Sequence, residues 1–351
     1  MNSNGLYTDD FLDEMRLTAD PFVDQFVAQV FSDEKAKLSL QQWMSKKSTA
    51  KMLAELQSTF PQFTFIAEAS KLPEWSDPKR MAKGAAFFAI HSQQIMTLLG
   101  LLSLPYCYAA ANGAMVLYLS ELMRNQTGKR LYDTAIFVWE MMNPDAFSRN
   151  GKGYVEILKI RIRHAAGRYY VLKTGKWEGS WGVPINQEDM AGTNLSFSLL
   201  VIRGLRKLGI NVTYTEQTAF IHLWSVVGQM LGMIPDMIPK DIKMAQQLEL
   251  AIRRRQFKPS VQGVALTSSL TEHIVAAQSS KASAGDILGL MRHLLGTEVS
   301  DLLSIKAAQI PSYKLNLMEV ANAVGDILPQ ADTLQQYNRA YLNFKRQNPA
   351  G

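Results

Sequence analysis

The sequence predicts an all-α fold. Apolar residues recur at helical spacing in nearly every segment, strand-like alternation is nearly absent, and the segments are separated by Asp-Pro, Asn-Pro and Gly signals that start or stop helices. Phe22, Phe26, Val27 and Val30 follow Asp20-Pro21, a helix start with proline in the first turn. Asp77-Pro78 plays the same part for a helix through Phe87, Phe88 and Ile95. A helix over Pro105–Met123 follows, then one over Arg130–Met142 that is closed by Asn143-Pro144. Val155–Leu172 is apolar on one face and basic on another, and leads into a Trp- and Gly-rich loop, Lys173–Asn186. Helices are expected again over Gln187–Leu208, stopped by Gly209, and over Glu216–Ile234, stopped by Pro235, with Thr213 and Glu216 at capping-box spacing. The chain then reads as Asp241–Phe257, Leu270–Ala277, Ala284–Leu295, Leu315–Leu328 and Leu334–Lys345.

Of the 351 residues, 47% are hydrophobic, enough for a large core. Neither a linker nor a fixed-period repeat divides the chain, so a single domain with helical extensions is expected. We place an N-terminal helical extension over about residues 1–80, a central core over 81–235 and C-terminal helices over 236–351. The single cysteine, Cys107, excludes an intramolecular disulfide framework and sits in an apolar run that reads as core. The N-terminus has neither a basic start nor an apolar run, so the sequence reads as cytoplasmic. The net charge of +6 comes from scattered basic residues, and Arg253-Arg254-Arg255 closes a helix, where cations suit the dipole. Nucleic acid is therefore not expected as a partner. No formally charged residue stands between Lys83 and Glu121, but His91, Gln93, Gln94 and Asn112 interrupt that stretch. It reads as two buried helices meeting at Leu104-Pro105 rather than a membrane span, and peripheral membrane contact is left open.

The chain has five histidines, with no zinc-helix spacing, no hydrolase triad pattern and no phosphate-binding glycine loop among its motifs. One segment stands apart. In Arg161-Ile162-Arg163-His164-Ala165-Ala166-Gly167-Arg168, Arg161, His164 and Arg168 fall at i, i+3 and i+7 on one helical face. Two fixed positive charges lower the pKa of the imidazole between them, and a neutral imidazole is a competent metal ligand. Ala165, Ala166 and Gly167 remove bulk just beyond it, as close approach of a flat cofactor requires. The alternative is a helix laced by salt bridges with an incidental histidine. His222 in Phe220-Ile221-His222-Leu223-Trp224 reads as a hydrogen-bonded core residue, and His91 as buried. Trp177 and Trp181 either line a substrate mouth or pack their loop down.

The pattern Arg161-x-x-His164-x-x-x-Arg168 resembles the latex clearing protein family of rubber oxygenases, which share a catalytic domain with endoplasmic-reticulum-bound oxygenases of meroterpenoid pathways. Ala19-Asp20-Pro21 with Asp24, Leu72–Asp77, Ser103-Leu104-Pro105, Arg130–Thr134, Gly182–Asp189, Thr193 with Phe197, and Leu290–Gly296 resemble the same domain, in order, over roughly residues 15–300. The resemblance implies a globin-like helical core around heme b (iron protoporphyrin IX), with His164 as the iron ligand. It implies Arg161, Arg168 and Arg292 as heme-supporting residues and Arg130 and Thr134 as the distal pair, and it implies dioxygenase cleavage of an isoprenoid double bond. Two departures stand out. The lysine that precedes the distal threonine in rubber-cleaving members is Asp133 here, expected to pair with Arg130 or to handle protons. The family's glutamate base has no counterpart in Asn112-Gly113-Ala114-Met115, and Glu121 lies further along.

The leading expectation is a heme b oxygenase that acts with O2 on a small hydrophobic, isoprenoid-like substrate, with Arg130, Asp133 and Thr134 at the reacting side. A heme peroxidase-like enzyme or heme sensor is the second reading, and a helical carrier of hydrophobic ligands without cofactor is the third.

Overall fold

The computed structural model describes residues 6–120, 127–277, 283–307 and 332–348, and among them no strand forms; a lone antiparallel bridge joins Ala110 and Phe257. The helices run α1 (Asp9–Arg16), α2 (Pro21–Ser32), α3 (Glu34–Ser45), α4 (Met52–Thr59), α5 (Thr64–Glu68), α6 (Pro78–Leu98), α7 (Leu104–Ala109), α8 (Ala111–Leu119) and α9 (Thr127–Met142). They continue as α10 (Gly153–Lys173), α11 (Gln187–Phe197), α12 (Leu199–Lys207), α13 (Tyr214–Met230), α14 (Ile242–Gln256), α15 (Val261–Ala277), α16 (Ala284–Leu295), α17 (Thr297–Leu302) and α18 (Thr333–Gln347). The helix expected over Leu315–Leu328, like Glu121 and Met123, lies outside the described residues.

Local chemistry sets most of the helix starts. Asp77 caps α6 through its carboxylate, which accepts from the amides of Lys79 and Arg80, and Thr213 with Glu216 forms the reciprocal capping box of α13. Two expectations are corrected. Pro105 does not separate two helices: the chain widens into a π turn over Leu99–Ser103, which accommodates the missing proline N–H, and the break falls at Ala110, where ψ is 88°. The single helix expected over Gln187–Leu208 divides at Ser198 (φ −113°, ψ −78°), whose hydroxyl donates to the Asn194 carbonyl and competes with the helical ladder. Helices α3, α4 and α5 follow one another closely through the N-terminal stretch.

The apolar run Pro78–Ala109 is long and apolar enough to cross a membrane by length and composition. Here it packs inside the protein, with Phe87, Phe88, Ile95 and Leu98 buried against α13, α12 and α18. Trp139 anchors the far side of the same core: its ring meets Phe88 edge-on at 4.9 Å, and the hydroxyl of fully buried Tyr337 donates to its carbonyl at 2.6 Å. Helix α18 is thereby fastened across α6 and α9.

A second, smaller core lies under the N-terminal helices. Val23, Phe26, Val27 and Val30 of α2 meet Phe60, Phe63, Phe65 and Ile66, with the Phe26 ring in edge contact with three other phenylalanines. Val155, Leu158, Ile162 and Ala165 of α10 complete it, while Ile157 of the same helix joins the main core. Helix α10 thus belongs to both cores. His164 is turned roughly 120° around the helix from the small-core face.

The junction between α2 and α10 is closed by the turn after α13, where Gly232 has φ +98°. A β-carbon there would fall 2.5 Å from Asp20 Oδ2 and 3.1 Å from Arg161 Nε, so both the backbone angle and the packing demand glycine. Gly232→Ala is expected to lower unfolding stability by about 1–3 kcal/mol in denaturant titration. An unchanged midpoint would show that this turn does not constrain the junction.

Candidate functional site

His164 lies midway along α10, its ring enclosed by protein yet with part of its surface still accessible. Among the described residues its buried Nδ1 has no hydrogen-bond partner, which leaves the Nε2 side of the ring as the open edge. Burial pushes its pKa down to about 3, and the positive charges of Arg168, Arg130 and Arg163 push in the same direction. The imidazole is therefore neutral at physiological pH, with a lone pair available to an electrophile.

Arg130, near the start of α9, is enclosed as well, and burial lowers its pKa. Among the described residues its guanidinium has no carboxylate partner. Its charge reaches both His164 and the fully buried Tyr108 of α7, whose hydroxyl also lacks a partner. Tyr108 carried no signal in the sequence beyond an apolar aromatic position. Thr134 shares the Arg130 face, one turn on, and its hydroxyl donates to the Arg130 carbonyl at 2.9 Å. Arg130, Thr134 and His164 thus come from two adjacent helices, α9 and α10.

Asp133 departs from expectation. Its carboxylate pairs with Lys129 at 2.9 Å rather than with Arg130, and its side chain is 41% exposed. The i, i+4 neighbour on the outer face of α9 offers a solvated cation, whereas pairing with Arg130 would require the carboxylate to lose its water.

Arg161 and Arg168 both turn towards α2. Arg161 Nε and Nη2 donate to the two oxygens of Asp20 at 2.5 and 3.0 Å, a bidentate pair in which Asp20 is 4% exposed. Arg168 Nε donates to Asp24 at 2.6 Å and Nη1 to the Ile185 carbonyl at 3.2 Å, while its buried Nη2 has no partner. The salt-bridge alternative weighed from the sequence therefore describes these two arginines in part, with one donor of Arg168 left over. Arg292, on α16, donates to Asp301 at 2.8 Å and to the Ile305 carbonyl at 2.9 Å, bracing the α17 corner.

The remaining sequence candidates have structural roles. His222 Nε2 accepts from the Asp77 amide at 2.9 Å, at the start of α6, and its ring meets Trp75 edge-on. His91 is buried at a kink in α6 (φ −105°, ψ 19°), against Phe87. Trp177 donates to the Gly182 carbonyl at 2.7 Å and packs on Trp181, which folds the loop down on itself. Cys107 is held up in pKa by burial and contacts the Ser196 hydroxyl at 3.1 Å. Among the described residues no cluster of three or more His, Cys, Asp or Glu could chelate a metal ion. What the site offers is one neutral imidazole in a positive field, with unpartnered donors at Arg168, Tyr108 and Arg130.

The family model for the catalytic domain of ER-bound oxygenase mpaB/B′ and rubber oxygenase matches residues 88–323. A rubber oxygenase from Streptomyces sp. (strain K30) is 27% identical over 244 residues, which cover 69% of this chain and 60% of that protein. The match thus spans less than two thirds of that relative's length. The structure of latex clearing protein LCP in the closed state has the same fold, with a TM-score of 0.76 at 22% identity over 93% of this chain and 91% of that one. With the family model covering residues 88–323, which hold both the Arg130 face of α9 and His164, the chain belongs to the family that unites the catalytic domains of mpaB-type ER-bound oxygenases and rubber oxygenases.

Proposed function

We propose that this chain is a heme b-dependent oxygenase that acts with dioxygen on a hydrophobic, isoprenoid-like substrate, cleaving a carbon–carbon double bond. The observation that carries the proposal is His164: a buried imidazole kept neutral by its surroundings, with an open Nε2 edge, in the domain of an oxygenase family. The residues present fit such a group. A single nitrogen ligand would suit an iron held otherwise by a macrocycle, and the Nη2 of Arg168, without a partner among the described residues, would supply positive charge and a donor for the carboxylates of a heme. Ala165, Ala166 and Gly167 keep the adjoining turn of α10 slim.

Heme supplies, when bound, the one-electron and dioxygen chemistry that no side chain here provides. The chain's own part is binding and electrostatics. His164 would hold the iron through a ring nitrogen that need not first lose a proton. Arg130 holds a fixed positive charge in a desolvated setting, where it would favour negative charge developing on oxygen at the reacting side. Thr134, its hydroxyl satisfied along α9, gives that face a short, polar but undemanding surface.

A second reading keeps the heme and drops the cleavage reaction. It is favoured by one observation: neither Asn112–Met115 on α8 nor the exposed, Lys129-paired Asp133 presents a free carboxylate for general-base work at this site. Oxygen uptake with polyisoprene or squalene by the heme-loaded protein favours the first reading; peroxide turnover alone favours the second.

Three outcomes follow. His164→Ala is expected to abolish stable heme retention, read as loss of the Soret band after gel filtration, with far-UV circular dichroism unchanged. A variant that retained normal heme content would displace His164 as the ligand. Arg130→Met is expected to keep heme but slow oxygen uptake by about 10–150-fold, the equivalent of one charge-assisted hydrogen bond of about 1.5–3 kcal/mol. Uptake at the wild-type rate would remove Arg130 from the reaction. Asp133→Asn is expected to change neither heme content nor uptake by more than about twofold, since losing one exposed i, i+4 pair is worth only about 0.3–0.5 kcal/mol; a shifted pH–rate profile would return the carboxylate to the chemistry.

A further inference from the structure

An imidazole that ligates a metal ordinarily has its other nitrogen tied to a carboxylate, carbonyl or water, which fixes the ring's orientation. Among the described residues His164 has no such tie, because its buried Nδ1 meets no hydrogen-bond partner. Its orientation must come from the helix that carries it. One turn before it, Arg161 grips both oxygens of Asp20; one turn after it, Arg168 grips Asp24 and the Ile185 carbonyl. Asp20 and Asp24 are themselves one turn apart on α2, so the two ion pairs stand like rungs on either side of the histidine. Neither rung is a loose surface contact: Asp20 is 4% exposed and Arg168 3%.

The Asp20 rung is also built in from behind. Asp20 forms no side-chain cap on α2, although it occupies the N-cap position ahead of Pro21, so its carboxylate is free for Arg161. Gln187 holds the surrounding backbone by donating to the Ala19 and Gly232 carbonyls at 2.9 and 3.0 Å and accepting from the Ile234 amide at 2.9 Å.

We propose that Asp20 and Asp24 are positioning residues for His164: through Arg161 and Arg168 they set the rotation of α10 and thereby the direction of Nε2. This rests on the reading of His164 as the heme ligand. It assigns to two carboxylates on a different helix the work that a hydrogen bond at Nδ1 performs in other metal sites.

The test uses the full-length, heme-loaded protein, with two readouts: the ferric electron paramagnetic resonance spectrum and the rate of heme transfer to apomyoglobin. Asp20→Asn and Asp24→Asn are expected to broaden or split the ferric signal and to speed heme transfer at least tenfold. Asp24→Glu, which keeps the charge, is expected to return both towards wild type. Lys159→Met serves as a comparison for general loosening. Lys159 is a buried residue of α10 that donates to the Lys46 carbonyl at 2.6 Å, away from the histidine, and its loss should lower the thermal midpoint without altering the spectrum. Wild-type spectra and transfer rates in both aspartate variants overturn the proposal, as does a Lys159→Met spectrum altered to the same extent. A wild-type chain that takes up no heme overturns the functional reading itself, and this inference with it.

Discussion

The placement of helix α10 is the constraint on which the rest of this structure depends. One stripe of it fills the small N-terminal core, and a second face sends Ile157 into the main core and, two turns on, carries the histidine. A helix claimed by two cores cannot rotate without opening cavities in one of them, and each buried methylene displaced has a cost of about 1 kcal/mol. The paired carboxylates of α2 add direction to that packing. Buried ion pairs are weak devices for stability, because desolvation offsets much of their attraction, but they are selective about geometry. Asp20 with Arg161 and Asp24 with Arg168 fit that description: they specify which way α10 faces.

The electrostatics of the site follow from the same placement. Arg168 is tied back to Asp24, yet its charge still bears on His164, and Arg130 adds a second charge from α9 with no carboxylate among the described residues to neutralise it. A basic group buried beside fixed cations sheds its proton. The outcome is a neutral imidazole in a positive field, which suits the negatively charged cofactor proposed above. Asp133, the residue with the clearest claim to carry a proton there, stays on the outer face because Lys129 pairs with it in water at no desolvation penalty.

Where a feature was set by near neighbours, it was legible in the sequence. The Asp77 cap, the Thr213–Glu216 box and the shared face of Arg161, His164 and Arg168 are matters of three- and four-residue spacing, and they stand as read. The partners of those arginines were not legible, since Arg161 and Asp20 are 141 residues apart and Asp20 before Pro21 looks like an ordinary helix start. Pro105 misled for the opposite reason: a local signal of helix ending was overridden by packing, with a π turn absorbing the strain. The expected pairing of Asp133 with Arg130 failed because a second cation, Lys129, stands at the equally reachable i, i+4 spacing on the solvated face. Tyr108 could not have been singled out, for an unpartnered buried hydroxyl is invisible until the surrounding helices are in place.

The central claim is that folding itself holds His164 neutral, before any cofactor binds. The folded-state pKa of about 3 lies below the unfolded value of about 6.5, so the unfolded chain takes up a proton that the folded chain refuses as pH falls between them. Stability from this residue is therefore fully present above pH 6.5 and declines on acidification. The most direct measurement is an NMR pH titration of the His164 ring in the heme-free protein, assigned by comparison with His164→Gln. The account predicts ring resonances that do not move between pH 8 and pH 5; a titration with a midpoint near 6.5 would contradict it.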